Sequence, residues 1–465
     1  MMFETWPWQQ WAKKKADAHA IILDSENISW QQLIADINQQ SACLYQQGVR
    51  EAQSVALIGK NSYQLLIRYL AVLQLGARVL PLNPQFPQTL FSRLFATLHV
   101  DGVWLDPAID IPESFSGMNV FVERSTEITQ QDEIRYSSNW LAERPATMTL
   151  TSGSSGLPKA AVHSVQAHLE NADGLLQKMQ FEQDDSWLFS LPLFHVSGQG
   201  IIWRWLLKGA TLVLRNMKDL PAALKGCTHA SLVPTQLWRL LSSADSTLSL
   251  KQVLLGGAMI PVELTQQAEA QGIHCWCGYG MTEMASTVCA KRADDLPGVG
   301  IPLSNRQMKL VNDEIYLKGA GLALGYWKDN QIMPLVDEAG WFHTRDKGIW
   351  QNDELRIIGR LDNQFFSGGE GIQPEDIERL LVAHPAIEQA FIIPIDDAEF
   401  GQRPVAIIES TVALDLQEIV SWLDDKIARF QLPVAYYPLP KSLVNGGIKI
   451  SRKALYNWVK EQNKN

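Results

Sequence analysis

The segment Thr149-Leu150-Thr151-Ser152-Gly153-Ser154-Ser155-Gly156-Leu157-Pro158-Lys159 combines hydroxyl groups, glycines and one cation at the end of an apolar stretch, Ala146 to Leu150. Glycine allows successive backbone N–H groups to point toward one centre, while the hydroxyls and the Lys159 ammonium add donors and charge. The segment therefore predicts a loop that holds a polyphosphate. A flexible Gly/Ser connector is the alternative. Ala160 follows Lys159, so the pattern of a Walker loop is not met.

The composition is that of an ordinary globular chain. Of its 465 residues, 46% are hydrophobic and 19% are charged, which argues against disorder over most of the length. The formal charge of -10, without clusters of Lys and Arg, disfavours nucleic acid as a partner but not a locally held nucleotide. No run reaches the roughly 18 apolar residues of a membrane span, and the N-terminus lacks a signal-peptide core. We expect a soluble cytoplasmic protein without a membrane partner, and its oligomeric state stays open.

The five cysteines are an odd number and are thinly spread, so a disulfide framework is not expected. The Cys275-Trp276-Cys277 pair has no second pair beside it, which makes a structural zinc site a weak interpretation. Buried thiols in a reducing compartment are the expectation for Cys43, Cys227, Cys275, Cys277 and Cys289.

The hydrophobic pattern predicts an α/β fold in its N-terminal part, with a parallel sheet covered by helices. Helices and short apolar runs alternate from residue 27 to 140, and the rhythm returns after residue 160. The predicted strands are Ser54–Ile58, Ala77–Leu82, Ser186–Ser190, Thr211–Leu214, His229–Val233 and Gln252–Leu255. The predicted helices are Trp30–Gln46, Ser62–Leu75, His163–Met179 and Pro234–Leu241.

The pattern changes near Gly340. Short antiparallel strands are predicted at Asp313–Leu317, Gly348–Gln351 and Leu355–Ile358, and a small α+β unit follows. That unit contains a helix at Pro374–Ala383, strands at Gln389–Pro394 and Pro404–Glu409, and a helix at Leu416–Phe430. We therefore expect a large N-terminal domain, residues 1–359, and a small C-terminal domain, residues 360–465.

Polar clusters follow several of the predicted strands, where ligand sites of open α/β sheets gather. In the stretch Leu191–Gly200, His195 lies among apolar residues and is interpreted as a pocket residue, with a purely structural histidine as the alternative. The stretches Gly256–Ala258 and Gly278–Glu283 offer glycine-bounded surfaces for an adenine ring, with Tyr279 available for stacking. Glu283 suits a Mg²⁺ ion that keeps most of its waters and takes oxygens from phosphates, unless it is a solvated turn residue.

Three further signals lie nearer the C-terminus. Asp346 stands at the entrance of a strand, where its carboxylate could accept hydrogen bonds from ribose hydroxyls or simply cap a turn. The stretches Gly359–Asp362 and Phe366–Pro374 bracket the expected domain boundary. Lys449 follows a glycine turn, Gly446-Gly447, and a plain surface position is the alternative for it.

Taken in order, these clusters resemble the adenylate-forming superfamily of acyl-CoA and aryl-CoA ligases, luciferases and adenylation domains, over nearly the whole chain. The resemblance implies a two-step ligation. A carboxylate first attacks the α-phosphate of ATP to give an acyl-adenylate and pyrophosphate, and a thiol then displaces AMP. Mg²⁺ is the implied cofactor, and ATP and CoA are the implied co-substrates.

The resemblance also assigns residues. Thr282 would contact the α-phosphate, Glu283 would hold Mg²⁺, and Lys449 would neutralise charge between the carboxylate and the α-phosphate, each an electrostatic role. Asp362 would be the hinge on which the small domain changes orientation. The implied ATP site comprises Thr151, Ser152, Gly153, Ser154, Ser155, Gly156, Lys159, Gly257, Ala258, Gly278, Tyr279, Gly280, Met281, Thr282, Asp346 and Arg360.

Two departures from the family pattern indicate a subgroup. Glu370-Gly371 replaces the usual Glu-Asn pair. Ile448 replaces the glycine that normally precedes the lysine, which gives Gly447-Ile448-Lys449. The resemblance to this subgroup implies an aromatic keto-dicarboxylic acid as the substrate, so the pocket should contain a donor for the carboxylate that does not react. Arg204 suits this role by its planar fork, unless it stacks in a structural layer. The implied acid pocket comprises His195, Ser197, Gln199, Arg204 and Gly256, and His195 is counted with Thr282 and Lys449 as catalytic.

The sequence leaves three alternatives open. Another aryl- or acyl-CoA ligase would share the ATP residues and differ in the acid pocket. A nucleotide-binding protein without catalysis would release no pyrophosphate with any acid. An adenylation domain that loads a separate carrier would use the same first step.

Overall fold

The structure is a computed structural model that describes residues 3–110, 115, 117–122, 136–151, 158–242, 249–367, 370–397, 399–410, 412, 415–424, 426–444 and 450–462. Its helices, within these residues, are α1 (Pro7–Lys14), α2 (Trp30–Gln46), α3 (Tyr63–Gln74), α4 (Gln88–Leu98), α5 (Val165–Leu176), α6 (Val196–Lys208), α7 (Leu220–Leu224), α8 (Pro234–Leu241), α9 (Val262–Ala270), α10 (Pro374–Val382), α11 (Leu416–Asp424), α12 (Lys441–Val444) and α13 (Arg452–Gln462).

The strands in the same residues are β1 (His19–Ile22), β2 (Asn27–Ser29), β3 (Ser54–Ile58), β4 (Arg78–Leu82), β5 (Gly102–Leu105), β6 (Val120–Phe121), β7 (Pro145–Thr151), β8 (Lys159–Ser164), β9 (Ser186–Leu188), β10 (Thr211–Val213), β11 (His229–Leu232), β12 (Gln252–Leu255), β13 (His274–Met281), β14 (Ser286–Arg292), β15 (Ile301–Pro302), β16 (Arg306–Val311), β17 (Glu314–Gly319), β18 (Gly325–Lys328), β19 (Gln331–Met333), β20 (Phe342–Gln351), β21 (Glu354–Arg360), β22 (Phe365–Ser367), β23 (Glu370–Ile372), β24 (Ile387–Asp397), β25 (Gly401–Ser410) and β26 (Tyr436–Pro438).

Two large sheets form the N-terminal part. One has the strand order β15-β14-β13-β12-β11-β9-β10-β1-β2, and the other has the order β19-β18-β8-β7-β4-β3-β5-β6. The pairs from β1 through β10, β9, β11 and β12 to β13 are parallel, as are those of β3 with β4 and β5. All five residues of β3 are buried, as is typical of strands covered on both faces. The predicted α/β fold with parallel sheets is confirmed.

The main core lies between these two sheets. It takes Val55 and Val79 from one sheet and Trp187 and Leu212 from the other, together with residues of α2, α3, α5 and α6. Tryptophans fill much of this volume: Trp6 stacks on Trp8 and Trp30 on Trp205, with centroids 5.0 and 5.3 Å apart. Aromatic burial of this size contributes strongly to stability. The same core carries α6, which leads into the candidate site.

Serine caps set where several helices begin. The side chains of Ser29, Ser62 and Ser164 each accept a hydrogen bond from the third residue of the helix that follows, at 3.1 Å. The helix predicted at His163–Met179 is therefore wrong at its start. His163 instead lies in β8, opposite Thr147 of β7, because the β7–β8 ladder holds the chain extended until Ser164 caps α5.

The C-terminal third is mostly antiparallel. Strands β16, β17, β20 and β21 form a four-stranded sheet, in which β20 is longer than predicted because its first residues pair with β17. The small C-terminal sheet has the order β23-β22-β25-β24, with β26 beside β25. Helices α10 and α11 cover one face of that sheet, and α13 covers the other.

The helix predicted at Leu416–Phe430 is too long at its C-terminal end. Helix α11 ends at Asp424, and a separate one-turn 3-10 helix, Arg429–Gln431, follows. The side chain of Gln431 accepts a hydrogen bond from the Ala428 N–H at 3.0 Å, which starts this new turn instead of continuing the old helix. In the residues that the structure describes, no helix is both long and apolar enough to cross a bilayer.

Candidate active site

The loops that follow the parallel strands of the larger sheet meet at one edge. Strands β9, β11, β12 and β13 run in the same direction, so the segments after them share this edge. A Cβ built on Gly256, directly after β12, would lie 3.3 Å from the carbonyl oxygen of Gly278 in β13. The predicted clusters Leu191–Gly198, Gly256–Ala258 and Gly278–Glu283 therefore lie beside one another.

The predicted phosphate loop joins two antiparallel strands. Thr151 and Lys159 are the last pair of the β7–β8 ladder, so the loop between them begins and ends at one point. Residues Ser152, Gly153, Ser154, Ser155 and Gly156 lie outside the described residues. The Lys159 ammonium lies 4.9 Å from the ring centre of Tyr326 in β18, a cation–π distance.

Glu283 lies in a one-turn 3-10 helix, Thr282–Met284, that follows β13. Its Oε1 accepts a hydrogen bond from the Tyr326 hydroxyl at 2.8 Å. Burial, and then the charge of Glu283, raise the pKa of Tyr326, so this hydroxyl remains a donor. The Tyr326 side chain thus contacts both Lys159, the lysine of the predicted phosphate loop, and Glu283, the predicted metal ligand.

The described residues hold no group of three or more His, Cys, Asp or Glu side chains that could bind a metal ion. A metal at Glu283 would therefore take most of its coordination from water and ligand oxygens. Oxygen ligands of this kind, few of them from the protein, are typical of Mg²⁺ at phosphate sites. The residues present fit Mg²⁺ held jointly with a polyphosphate.

Tyr279 differs from the expectation of an open stacking surface. Its ring is only 9% exposed and packs with Met284, Val288 and Cys289. Its hydroxyl donates to Oδ2 of Asp346 at 2.6 Å, and burial together with the Asp346 charge raises its pKa well above the usual value. Tyr279 therefore joins β13 to β20, and the backbone of the neighbouring glycines forms the accessible surface here.

Asp346 lies beside Arg360. This proximity is needed if both residues are to bind the same ribose, as the resemblance implies. The two residues are opposite each other on β20 and β21, and Nη1 of Arg360 lies 2.9 Å from Oδ1 of Asp346. Arg360 also lies 3.5 Å from Asp362, which in turn pairs with Arg345 at 3.2 Å. The predicted hinge residue is thus tied to the strand that carries Asp346. Lys449 lies outside the described residues.

The segment before α6 is shaped by close backbone contacts. A Cβ on Gly198 would lie 2.1 Å from the carbonyl oxygen of Pro192, so only glycine is accommodated there. His195 is the N-cap residue of α6, and its ring lies 4.7 Å from that of Phe194. Ser197 is half-buried in the first turn. The segment therefore presents His195 and Ser197 at the helix start.

Gln199 is fully buried, and its Nε2 donates to Thr149 Oγ1 at 2.9 Å and to the Leu193 carbonyl at 3.3 Å. The amide donors of Gln199 thus hold α6 against β7, the strand that enters the phosphate loop. A donor role of Gln199 toward an acid is not what this geometry favours. The corrected interpretation is a link between the acid segment and the phosphate strand.

Arg204 lies two turns into α6, as predicted, and is 1% exposed. Its guanidinium stacks on Trp187, 4.6 Å from the ring centre, and Nη1 donates to Ser231 Oγ at 3.2 Å. Burial lowers its pKa to about 9. The described part of the chain places no carboxylate within ion-pair distance of it, and its Nε has no partner there. A buried cation without an acidic partner is costly, so this guanidinium is suited to bind an anion.

Sequence reasoning missed three residues of this region: Tyr326, Trp187 and Ser231 in its contact with Arg204. Tyr326 is 43 positions from Glu283 and 167 from Lys159, and no local pattern links them. A tyrosine in a short strand is ordinarily assigned to packing. Only the pairing of β18 with β8 places it beside the phosphate loop.

Comparison with known proteins agrees with this arrangement. Residues 8–327 match the AMP-binding enzyme family, and residues 376–461 match the AMP-binding enzyme C-terminal domain. The chain is 50% identical to 2-succinylbenzoate–CoA ligase of Salmonella typhimurium, with 100% of both chains covered. It is 51% identical to the Escherichia coli enzyme of that name, over 99% of this chain and 100% of the relative.

A solved structure extends the likeness to three dimensions. An E. coli MenE variant with bound OSB-AMS has a TM-score of 0.92 and 49% identity, covering 99% of this chain and 100% of that one. The large N-terminal part and the small C-terminal part therefore have the same fold as the E. coli protein. The chain belongs to the AMP-binding enzyme family.

Proposed function

We propose that this protein is an AMP-forming acid–thiol ligase that joins 2-succinylbenzoate to CoA, in menaquinone biosynthesis. The acid reacts with ATP to give 2-succinylbenzoyl-AMP and pyrophosphate. The CoA thiol then displaces AMP and forms the thioester. The observation that carries the proposal is the identity of about half of all residues, over the full length, with two ligases of this name.

The phosphates of ATP are assigned to the β7–β8 hairpin. The residues between Thr151 and Lys159 are assigned to the β- and γ-phosphates because of their N–H and hydroxyl donors, and Lys159 supplies a positive charge. Thr282 contacts the α-phosphate at the end of β13. Each group stabilises charge that is already present or that develops during the displacement.

Glu283 is assigned to Mg²⁺, which when bound neutralises phosphate charge and orients the leaving pyrophosphate. Glu283 itself is oriented by the Tyr326 hydroxyl, which fixes the position of one carboxylate oxygen. Because both oxygens belong to one planar carboxylate, the same hydrogen bond also restricts the direction of Oε2. The protein thus contributes one oriented carboxylate to Mg²⁺ instead of a full set of ligands.

The nucleoside part of AMP is assigned to the edge formed by β12, β13 and β20. Gly257, Ala258, Gly278, Gly280 and Met281 provide flat backbone for adenine. Asp346 and Arg360 bind the ribose hydroxyls, and Tyr279 holds Asp346 in place. A carboxylate that already accepts two hydrogen bonds in fixed directions is well ordered for a third partner.

The unreactive carboxylate of 2-succinylbenzoate is assigned to the region of Arg204. A dicarboxylic acid brings one carboxylate to the α-phosphate and leaves a second negative charge that needs a buried partner. Arg204 is the cation with a desolvated guanidinium at this edge. His195, Ser197 and Gly256 line the approach, and Lys449 is assigned to the reacting carboxylate.

We further propose a domain boundary at residues 359 and 360 and a hinge at Asp362. The ion pairs of Asp362 with Arg345 and Arg360 hold the present orientation. An additional contact joins Arg239 of α8 to Glu388 and Glu409 of the C-terminal sheet, at 3.5 and 3.2 Å. Rotation for the second half-reaction would break this contact between the two domains.

A cytoplasmic location is proposed because all five cysteines are free, buried thiols, as is usual in reducing compartments. Burial raises the pKa of Cys275 and Cys277, to about 12 and about 11. Thiolates, the form that binds zinc, are thus disfavoured at this pair.

Pyrophosphate release with ATP, Mg²⁺ and CoA tests the proposal across a panel of 2-succinylbenzoate, benzoate, succinate and a medium-chain fatty acid. We expect a strong preference for 2-succinylbenzoate and a CoA thioester as product. Preference for benzoate or the fatty acid would retain the ligase chemistry and reject the acid. No pyrophosphate with any acid would indicate a binding protein without catalysis.

A further inference from the structure

Asn171 lies on α5, outside every cluster assigned above, yet it contacts the turn that carries Thr282 and Glu283. Its side chain is 1% exposed. Nδ2 donates one hydrogen bond to the carbonyl oxygen of Met284 at 2.7 Å and a second to that of Thr287 at 2.9 Å. One amide group therefore bridges the two ends of the segment that follows the predicted metal ligand.

The bridged segment has an unusual backbone. Ala285 has φ +56° and Ser286 has φ +131°, both in the region that side chains other than glycine rarely adopt. Two successive residues of this kind persist only where the surroundings hold them. The bonds from Asn171 end on Met284 and Thr287, immediately before and after this pair.

The opposite side of the turn is held by backbone. The Ala323 N–H donates to the carbonyl oxygen of Glu283 at 2.8 Å, and the Ala285 N–H donates to that of Thr282 at 3.2 Å. A Cβ on Gly280 would lie 2.2 Å from the carbonyl oxygen of Ser286, so β13 approaches the same turn closely. Asn171 adds two side-chain hydrogen bonds to this support.

We propose that Asn171 is a positioning residue, which fixes the strained turn Met284–Thr287 and thereby the placement of Thr282 and Glu283 toward the α-phosphate and Mg²⁺. This inference rests on the proposed function for its ligands. Replacing a residue that orients a metal ligand without binding the metal itself typically changes metal affinity or activity by about 10- to 100-fold. The guanidinium of Arg204 is held by other residues, Trp187 and Ser231.

The variant Asn171→Leu removes the donor and keeps the side-chain size. The matched control is His168→Leu on the same helix, which removes a buried contact to Thr147 Oγ1 at 2.8 Å and does not touch the turn. We expect Asn171→Leu to accelerate amide hydrogen exchange in residues 283–287 of the ligand-free protein. The control should leave exchange in those residues unchanged.

In pyrophosphate release, Asn171→Leu should raise the Mg²⁺ concentration for half-maximal rate about tenfold, while the KM for 2-succinylbenzoate changes less than twofold. A second substitution, Ala285→Gly, relieves the backbone strain and should restore most of the Mg²⁺ response in the double variant. Rescue of this kind is not expected if Asn171 only fills space.

Unchanged exchange and unchanged Mg²⁺ response in a folded Asn171→Leu protein would overturn the inference, as would equal effects in the His168→Leu control. If Asn171→Leu fails to fold, Asn171→Ser, alone and with Ala285→Gly, provides the same comparison. Wild-type protein that releases no pyrophosphate would reject the proposed function. The hydrogen-exchange comparison would still decide the role of Asn171 in holding the turn.

Discussion

The hydroxyl of Tyr326 donates to Oε1 of Glu283 at 2.8 Å while the ring of the same tyrosine lies 4.9 Å from the Lys159 ammonium. One side chain thus contacts both the base of the phosphate hairpin and the predicted magnesium ligand. Its hydroxyl and its ring make separable contributions, because the first is a hydrogen bond and the second a cation–π contact.

The substitution Tyr326→Phe should separate the two contributions, because it removes the hydroxyl and keeps the ring. Loss of a hydrogen bond to a charged group costs about 1.5–3 kcal/mol, and solvent access at this half-buried site reduces that figure. We expect the Mg²⁺ concentration for half-maximal pyrophosphate release to rise roughly tenfold, with the KM for the acid unchanged. Tyr316→Phe, in the four-stranded sheet, is the control. A Tyr326→Phe enzyme with wild-type Mg²⁺ dependence would contradict an orienting role.

Arg204→Met should weaken acid binding and stabilise the fold at the same time. A buried cation without a carboxylate partner in the described residues opposes folding, and its replacement by an apolar side chain of similar length is neutral or favourable. Loss of a buried charge partner should raise the KM for 2-succinylbenzoate roughly 10- to 100-fold, with the KM for ATP nearly constant. Steady-state kinetics and thermal unfolding check both effects. An unchanged acid KM with a lower Tm would make Arg204 a structural residue.

Lys449→Ala should abolish adenylate formation and leave thioester formation from supplied 2-succinylbenzoyl-AMP largely intact. The lysine serves the first step alone if the small domain turns about Asp362 between the steps. Pyrophosphate exchange measures the first half-reaction, and thioester production from the adenylate and CoA measures the second. Equal loss in both would reject this role of Lys449.

Stability should fall as the pH decreases from about 6.5 to about 4. Burial lowers the pKa of His163 to about 4 in the folded protein, while in the unfolded chain it is near 6.5. The unfolded chain therefore takes up the proton first, and stability is highest above the unfolded value. The loss at this residue is on the order of 3 kcal/mol at 1.36 kcal/mol per unit. His168, also buried with a lowered pKa, adds in the same direction.

Urea unfolding at pH 7.5 and 5.0 measures this effect. His163→Gln should reduce the difference in unfolding free energy between the two pH values, because glutamine does not titrate. An equally steep pH dependence in the variant would assign the effect to other groups.

Elements with strong local signals could be predicted from the amino-acid sequence. Helix α2 and strands β3 and β12 begin and end at the predicted residues, because apolar periodicity and a serine cap or turn residues specify them within a few positions. The order of glycine-bounded clusters along the chain likewise identified the family, since each cluster lies within a short stretch of sequence.

Contacts between residues that are distant in the sequence depend on the folded arrangement of the sheets and helices. The contacts of Tyr326 with Glu283, of Asn171 with Met284 and Thr287, and of Arg204 with Trp187 and Ser231 span 17 to 116 positions. They depend on strand order and on which face of α5 or α6 packs against which sheet. Local propensity carries no information on such pairings, so a buried Asn or Tyr has the same sequence signal whether it packs or positions a ligand.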